Sequence, residues 1–139
     1  MTRAHYVAIR DRLATLTASG KLIPATLGDP PWNQSLPYTF ITPRPSVKRS
    51  ESVASVRNLL DETFNITLVH SSANNVLALS EVGSALLDEW TPEVDGWHTY
   101  PLELIDAQPV QTSTTVVDGT KNTYPRWAVL QFRLRASKE

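Results

Sequence analysis

The sequence predicts an α+β domain: a small, mostly antiparallel sheet of about four strands with two helices packed on it, in the order α-β-β-α-β-β. Three observations lead there. Apolar residues recur at three-and-four spacing in two separate stretches, residues 2–19 and 73–90, which is the period of a helix with one buried face. Runs between and after them alternate in the manner of strands. An Asp118-Gly119 turn separates the last two runs, the signal of a hairpin. All 139 residues fit one domain, and at that size folding buries roughly two thirds of the unfolded surface.

The first helix is expected from Thr2 to Ser19. Tyr6, Ile9, Leu13 and Leu16 make its stripe, Thr2 can cap its start, and Gly20 supplies a left-handed residue past its end. Arg3, Arg10, Asp11 and Arg12 then fall mostly on the wet side. His5, in the first turn, reads as a surface group or a local hydrogen-bond partner and not as a site residue. Residues 21–36 read as an irregular extended arm, because Pro24, Gly28, Pro30 and Pro31 forbid a helix. Leu22, Ile23, Leu27 and Trp32 are poor residues to leave in water. The arm therefore lies across the domain or against a neighbour, with Trp32 packed on its own core or on a partner.

Pro37 to Thr42 is a short strand, stopped by Pro43 and Pro45. Residues 43–55 read as an exposed loop that carries Arg44, Lys48, Arg49 and four serines. It is either simply solvated or orders on a partner surface. Without interleaved aromatics it does not read as a nucleic-acid site. Glu62 to His70 alternates, with Phe64, Ile66 and Leu68 on one side and Asn65, Thr67 and Val69 on the other. Val53, Val56, Leu59 and Leu60 can lengthen it, and His70 ends it beside Ser71 and Ser72.

The second helix is expected from Ala73 to Trp90, with Leu79, Val82, Leu86 and Trp90 as its stripe, Gly83 allowing close packing, and Thr91-Pro92 as its stop. Asp88 and Glu89 in its last turn oppose the helix dipole. They read as a solvated end, or else as a metal or partner contact. The final strands are expected over residues 100–117 and 124–136, joined around Asp118 to Asn122. Leu130, Phe132 and Leu134 give the last strand its buried face. Pro109 and the phase change after Leu104 call for a bulge near Asp106 to Pro109, or an edge position. Centring the hairpin on its turn places Asp106 within about two residues of Arg135.

Charge is uneven along the chain. Residues 1–60 hold eight Lys/Arg against three acids, residues 61–120 hold ten acids and no Lys or Arg, and residues 121–139 hold five bases against one acid. Cross-strand ion pairs would account for this. So would two unlike surfaces that attract each other between copies, giving head-to-tail association. The two accounts are compatible.

Little in the chain announces chemistry. The absence of cysteine removes disulfides, thiolate metal sites and cysteine nucleophiles. No Gly-rich phosphate loop, nucleophile elbow or His-Glu-x-x-His pair is present. Glu93 to Tyr100 is the best candidate, since it gathers Glu93, Asp95, Trp97 and His98. A metal site would need further fixed ligands, so the segment reads first as a turn with Trp97 as its anchor. No catalytic, cofactor or metal residues are expected. Nor is a secretory leader or membrane span, because no apolar run is long enough.

The first helix with Tyr6, Ile9 and Leu13, the Pro37-Tyr38-Thr39-Phe40-Ile41 strand, the Thr63-to-Val69 strand, the Leu79-to-Trp90 helix and the final Tyr124-to-Arg135 strand together resemble the tail terminator proteins of long-tailed, siphovirus-like bacteriophages. The resemblance covers nearly the whole chain in the order and length of elements. It implies a virion protein of the neck, assembled in the host cytoplasm, that forms a hexameric ring, caps the tail tube protein, ends tail polymerisation and meets the head-completion or connector protein. DNA would pass through the lumen without sequence-specific recognition. The residues expected at contacts are Trp32, Arg44, Lys48, Arg49, Trp97, Asp106 and Arg135. A head-completion (stopper) protein of the same neck is the first alternative, and a small α+β enzyme or ligand-binding domain the second.

Overall fold

The computed structural model describes residues 2–18, 20–31, 34–44, 59–112 and 124–138. Within them the chain runs α1 (Arg3–Leu13), β1 (Thr17–Ala18), β2 (Lys21–Leu22), β3 (Ala25–Leu27), β4 (Tyr38–Thr42), β5 (Leu59–His70), α2 (Ala73–Leu87), β6 (Trp97–Thr99), β7 (Glu103–Ala107), β8 (Gln111–Thr112) and β9 (Arg126–Lys138). The α+β class and the mostly antiparallel sheet are as expected. The strand count and order are not: the described residues form nine strands in two sheets, not four in one. The extra strands are two or three residues long, too short to carry a period.

β1 and β2 form a separate antiparallel hairpin. The main sheet runs β3-β4-β5-β9, and β6, β7 and β8 pair in turn along the far side of β9. Only the β3–β4 pair is parallel. β9 is therefore a central strand, matched to β5 over twelve register pairs from Leu59↔Ser137 to His70↔Arg126. Long alternating runs explain why these two strands form the spine: Phe64, Ile66 and Leu68 meet Phe132, Leu130 and Ala128 on one face, and each pair removes apolar surface from water. Phe64 and Phe132 stack with centroids 5.8 Å apart and an interplanar angle of 19°.

Both helices cover that face. α1 lies against β3 and β4, and α2 against β5 and β9. Tyr6, Ile9 and Leu13 of α1 join Leu79 and Leu87 of α2 in one core with the strand residues. Helix α1 is shorter than the expected 2–19 and stops at Leu13, where the Thr15 hydroxyl donates to the Arg12 carbonyl at 2.7 Å. Leu16 is buried all the same, but from a turn. Gly20, with φ 78°, lies between β1 and β2 and does not end the helix.

Helix α2 differs from expectation in both its end and its buried face. Ser72 caps it, accepting from the Asn75 N–H at 3.2 Å. It ends at Leu87, and Glu89 takes the left-handed conformation at φ 65° that closes such an end. The buried residues are Val76, Leu79, Gly83 and Leu87, whereas Val82, expected in the stripe, is 52% exposed. Gly83 turns out not to be required by close packing. A Cβ there would sit 3.7 Å from Leu68 Cδ2 and 3.8 Å from Leu16 Cδ1, ordinary contact distances. Gly83→Ala is therefore expected to stabilise the domain by about 0.5–1 kcal/mol, read as a higher urea midpoint at unchanged slope.

The arm expected at 21–36 is more regular than its prolines suggested. Pro24 blocks a helix but its carbonyl accepts the Thr39 N–H at 2.9 Å, and the Gly28 N–H donates to the Ile41 carbonyl at 2.8 Å. These bonds hold β3 parallel to β4. Strand β5 also departs from a clean alternation, since Thr67 and Val69 are buried as well as Leu68.

Candidate assembly surfaces

Among the described residues no group of three or more His, Asp or Glu side chains is placed to hold a metal ion. No helix in them is long and apolar enough to cross a membrane. The Glu93–Tyr100 segment folds as the turn the sequence indicated: the Trp97 N–H donates to the Val94 carbonyl at 3.1 Å, Gly96 takes φ 81°, and a shallow groove lies along residues 91–99. Its His98 ring stands edge-on to Tyr100 at 5.0 Å. Asp88 has a structural task, accepting the Leu104 N–H at 3.1 Å and so satisfying an outward donor of the β7 edge.

Four of the seven predicted contact residues can be placed. Trp32, Lys48 and Arg49, with the rest of the loop beyond Arg44 and the Asp118–Asn122 turn, lie outside the described residues. Arg44 is exposed, tied by its N–H to Tyr6 Oη at 2.9 Å and by Nη1 to Thr63 Oγ1 at 3.3 Å. Trp97 is half-buried on the core, with the His5 ring edge-on at 5.2 Å, which makes it an anchor of its own subunit. Asp106 is exposed and accepts the neighbouring Ala107 N–H at 2.9 Å. The expected proximity of Asp106 and Arg135 is wrong. The register shifts between Leu104 and Asp106, and Asp106 falls opposite Gln131, four residues from Arg135. The offset is already present nearer the turn, where Gln111 pairs with Trp127, so it is not produced by the irregularity between Leu104 and Asp106. Arg135 instead lies opposite Asp61, with its guanidinium 5.9 Å from the centre of the Tyr100 ring.

A cross-strand ion pair of the sheet lies two residues away along β9. Arg133 clamps Asp61 with two bonds of 2.7 and 2.6 Å and approaches Glu103 at 3.9 Å. The hydrogen bond and charge of Asp61, with Glu103 adding, hold the Arg133 pKa above its ordinary value. Part of the charge pattern is thus satisfied inside one subunit, at an exposed site where such pairs contribute little.

His5 is the local hydrogen-bond partner the sequence allowed, but not a surface group. It is fully buried. The Thr2 N–H donates to its Nδ1 at 3.3 Å and Thr2 Oγ1 lies 2.7 Å away, so histidine occupies the capping-box place usually held by Glu or Gln. That donation leaves the neutral ring's proton on Nε2, which has no hydrogen-bond partner among the described residues. Burial, with the nearby amino terminus, lowers its pKa from 6.5 to about 4.

Among the described residues two large apolar side chains are the most exposed. Leu22, in the β1–β2 hairpin, is 70% exposed, and Leu77 on α2 is 54% exposed. A usable signal was present in α2, whose fifteen residues contain a single charge, Glu81. Comparison with models of known protein families and with curated proteins finds no match.

Proposed function

We propose that this protein is a structural virion component that assembles as a hexameric ring on the tail tube of a long-tailed phage, ends tube polymerisation and presents a surface to the head connector. The observation that carries the reading is the uneven charge along the chain, eight Lys/Arg against three acids in residues 1–60 and ten acids with no Lys or Arg in residues 61–120. Arg3, Arg10 and Arg12 are on α1, beside β3 and β4, and Lys21 is on β2. Glu81 is on α2, Asp88, Glu89, Glu93 and Asp95 follow it, and Glu103 and Asp106 are on β7, across β9 from β5. A ring needs two different, complementary surfaces on each subunit, and opposite charge both steers and selects such contacts. The resemblance of the sequence to tail terminators, in its two helices and its long strands, supplies the rest of the argument.

Removing the gene tests it. Filled heads and separate tails, many longer than normal, with joining restored by added purified protein, are the expected result. Tails of normal length and joining competence would contradict it. Normal tails beside leaking, tail-less heads would assign the protein to head completion instead.

A further inference from the structure

We propose that His5 is a latch that fastens the first turn of α1 to the edge strand β6 through Trp97, and that protonation of its ring releases both together while the β5–β9 spine stays folded. The device stands apart from the tail reading and does not depend on it.

The latch joins two segments far apart in the chain. On one side His5 Nδ1 meets the Thr2 N–H at 3.3 Å and the Thr2 hydroxyl at 2.7 Å, which ties the first turn of α1 to its cap. On the other side the ring centre lies 5.2 Å from that of Trp97 at an interplanar angle of 70°. His5 is wholly buried between them, and its Nε2 has no hydrogen-bond partner among the described residues. A buried polar atom left in that state is rare.

The neutral ring fits this site and the charged ring does not. An imidazolium carries a proton on both nitrogens. Thr2 Oγ1 can take the one on Nδ1, but the Thr2 N–H then loses its acceptor and the proton on Nε2 still finds none. The charge itself is unpaired. The ionisable groups on the surrounding elements are Arg3 and the amino terminus at the start of α1, Glu93, Asp95 and His98 around the β6 turn, and Lys138 opposite Trp97 in β9. Of these only the amino terminus bears on His5, and its positive charge opposes a second one. The attraction of a cation to an indole ring is smaller than the cost of a buried ion without a counter-charge. Protonation, as pH falls to about 4, therefore favours a state in which the ring reaches water.

What opens is bounded on both sides. Tyr6 is in the core and its hydroxyl accepts the Arg44 N–H at 2.9 Å, so α1 beyond its first turn is held independently of His5. After β6 the buried Thr99 donates its hydroxyl proton to the Pro92 carbonyl, and the Leu102 N–H donates to the Trp90 carbonyl at 2.8 Å. Between those ties, Trp97 is held by its N–H bond to the Val94 carbonyl and by a three-pair ladder to the end of β9. The β5–β9 ladder runs over twelve pairs. A short edge segment opens at lower cost than such a spine, and its release carries an indole ring from the core to the surface.

NMR spectra of the full chain between about pH 7 and about pH 3.5 test the latch. The Trp97 indole N–H resonance, assigned by its loss in Trp97→Phe, should move with the same midpoint as the His5 ring, well below the ordinary 6.5. Amides of residues 3–5 and 96–98 should move with it, while those of residues 64–68 and 128–132 keep their folded positions. The change should persist in His98→Gln, which removes the titrating neighbour of Trp97, and vanish in His5→Gln. Coupling is reciprocal, so loosening the β6 side by Trp97→Phe should raise the His5 midpoint by about one pH unit, a tenfold easier protonation. A Trp97 resonance that ignores the His5 titration or follows His98 would overturn the latch. So would a His5 midpoint near 6.5, a midpoint unmoved by Trp97→Phe, or loss of the whole folded spectrum together with the His5 titration.

Discussion

Acidification from pH 7 to pH 4 is expected to cost the fold about 3 kcal/mol through His5 alone. The sign follows from the direction of the shift. The unfolded chain binds a proton at His5 below its ordinary value of 6.5, whereas the folded ring stays neutral until about 4. Stability from this residue is complete above pH 6.5 and is lost as pH falls from there toward 4. His70, whose pKa burial also lowers, adds to the loss in the same direction. His5→Gln separates the titration from the cap, because a glutamine at this position can still accept the Thr2 N–H but carries no titrating group. Urea midpoints at pH 7, 5.5 and 4.5 should therefore fall less steeply for the variant than for the wild type. Equal slopes would show that the His5 pKa does not differ between the folded and unfolded states.

Phe132→Ala is expected to cost about 3–5 kcal/mol. Phe132 is fully buried in the strand that carries β5 on one side and β6, β7 and β8 on the other. Its ring stacks on Phe64, its register partner. Truncation removes that contact and leaves a void bounded by two long strands, whose twelve-pair register resists collapse into it. A domain of this kind has about 5–15 kcal/mol in all, so the variant should melt far below the wild type. Thermal unfolding that differs by only a degree or two would mean that the core tolerates rearrangement around this ring.

How much of this was legible in the sequence depended on the length of the signal. β5 and the start and burial of α1 were readable because their apolar residues repeat over several turns or pleats. Strands β1, β2, β3, β6 and β8 were not, because two or three residues display no period. Helix α2 was found, but not its buried face: with Ala, Leu and Val on every side, Leu79-Val82-Leu86 and Val76-Leu79-Gly83-Leu87 are equally good stripes on paper. That ambiguity is the same property that leaves Leu77 and Val82 bare. The pairing of Asp106 failed because the hairpin is not centred where its turn residues suggested: Gln111 already pairs with Trp127, and the offset carries on to Asp106. His5 could not be read as buried, since one histidine in a first turn has no pattern around it, and Trp97, which meets it, is ninety-two residues further along the chain.

Polymerisation of purified tail tube subunits with and without this protein, followed by negative-stain microscopy, tests the central claim most directly. The account predicts rings of this chain seated on one end of each tube, with tube growth halted at those ends and continuing where no ring is bound. Tubes that lengthen at the same rate in its presence, with bare ends, would contradict it.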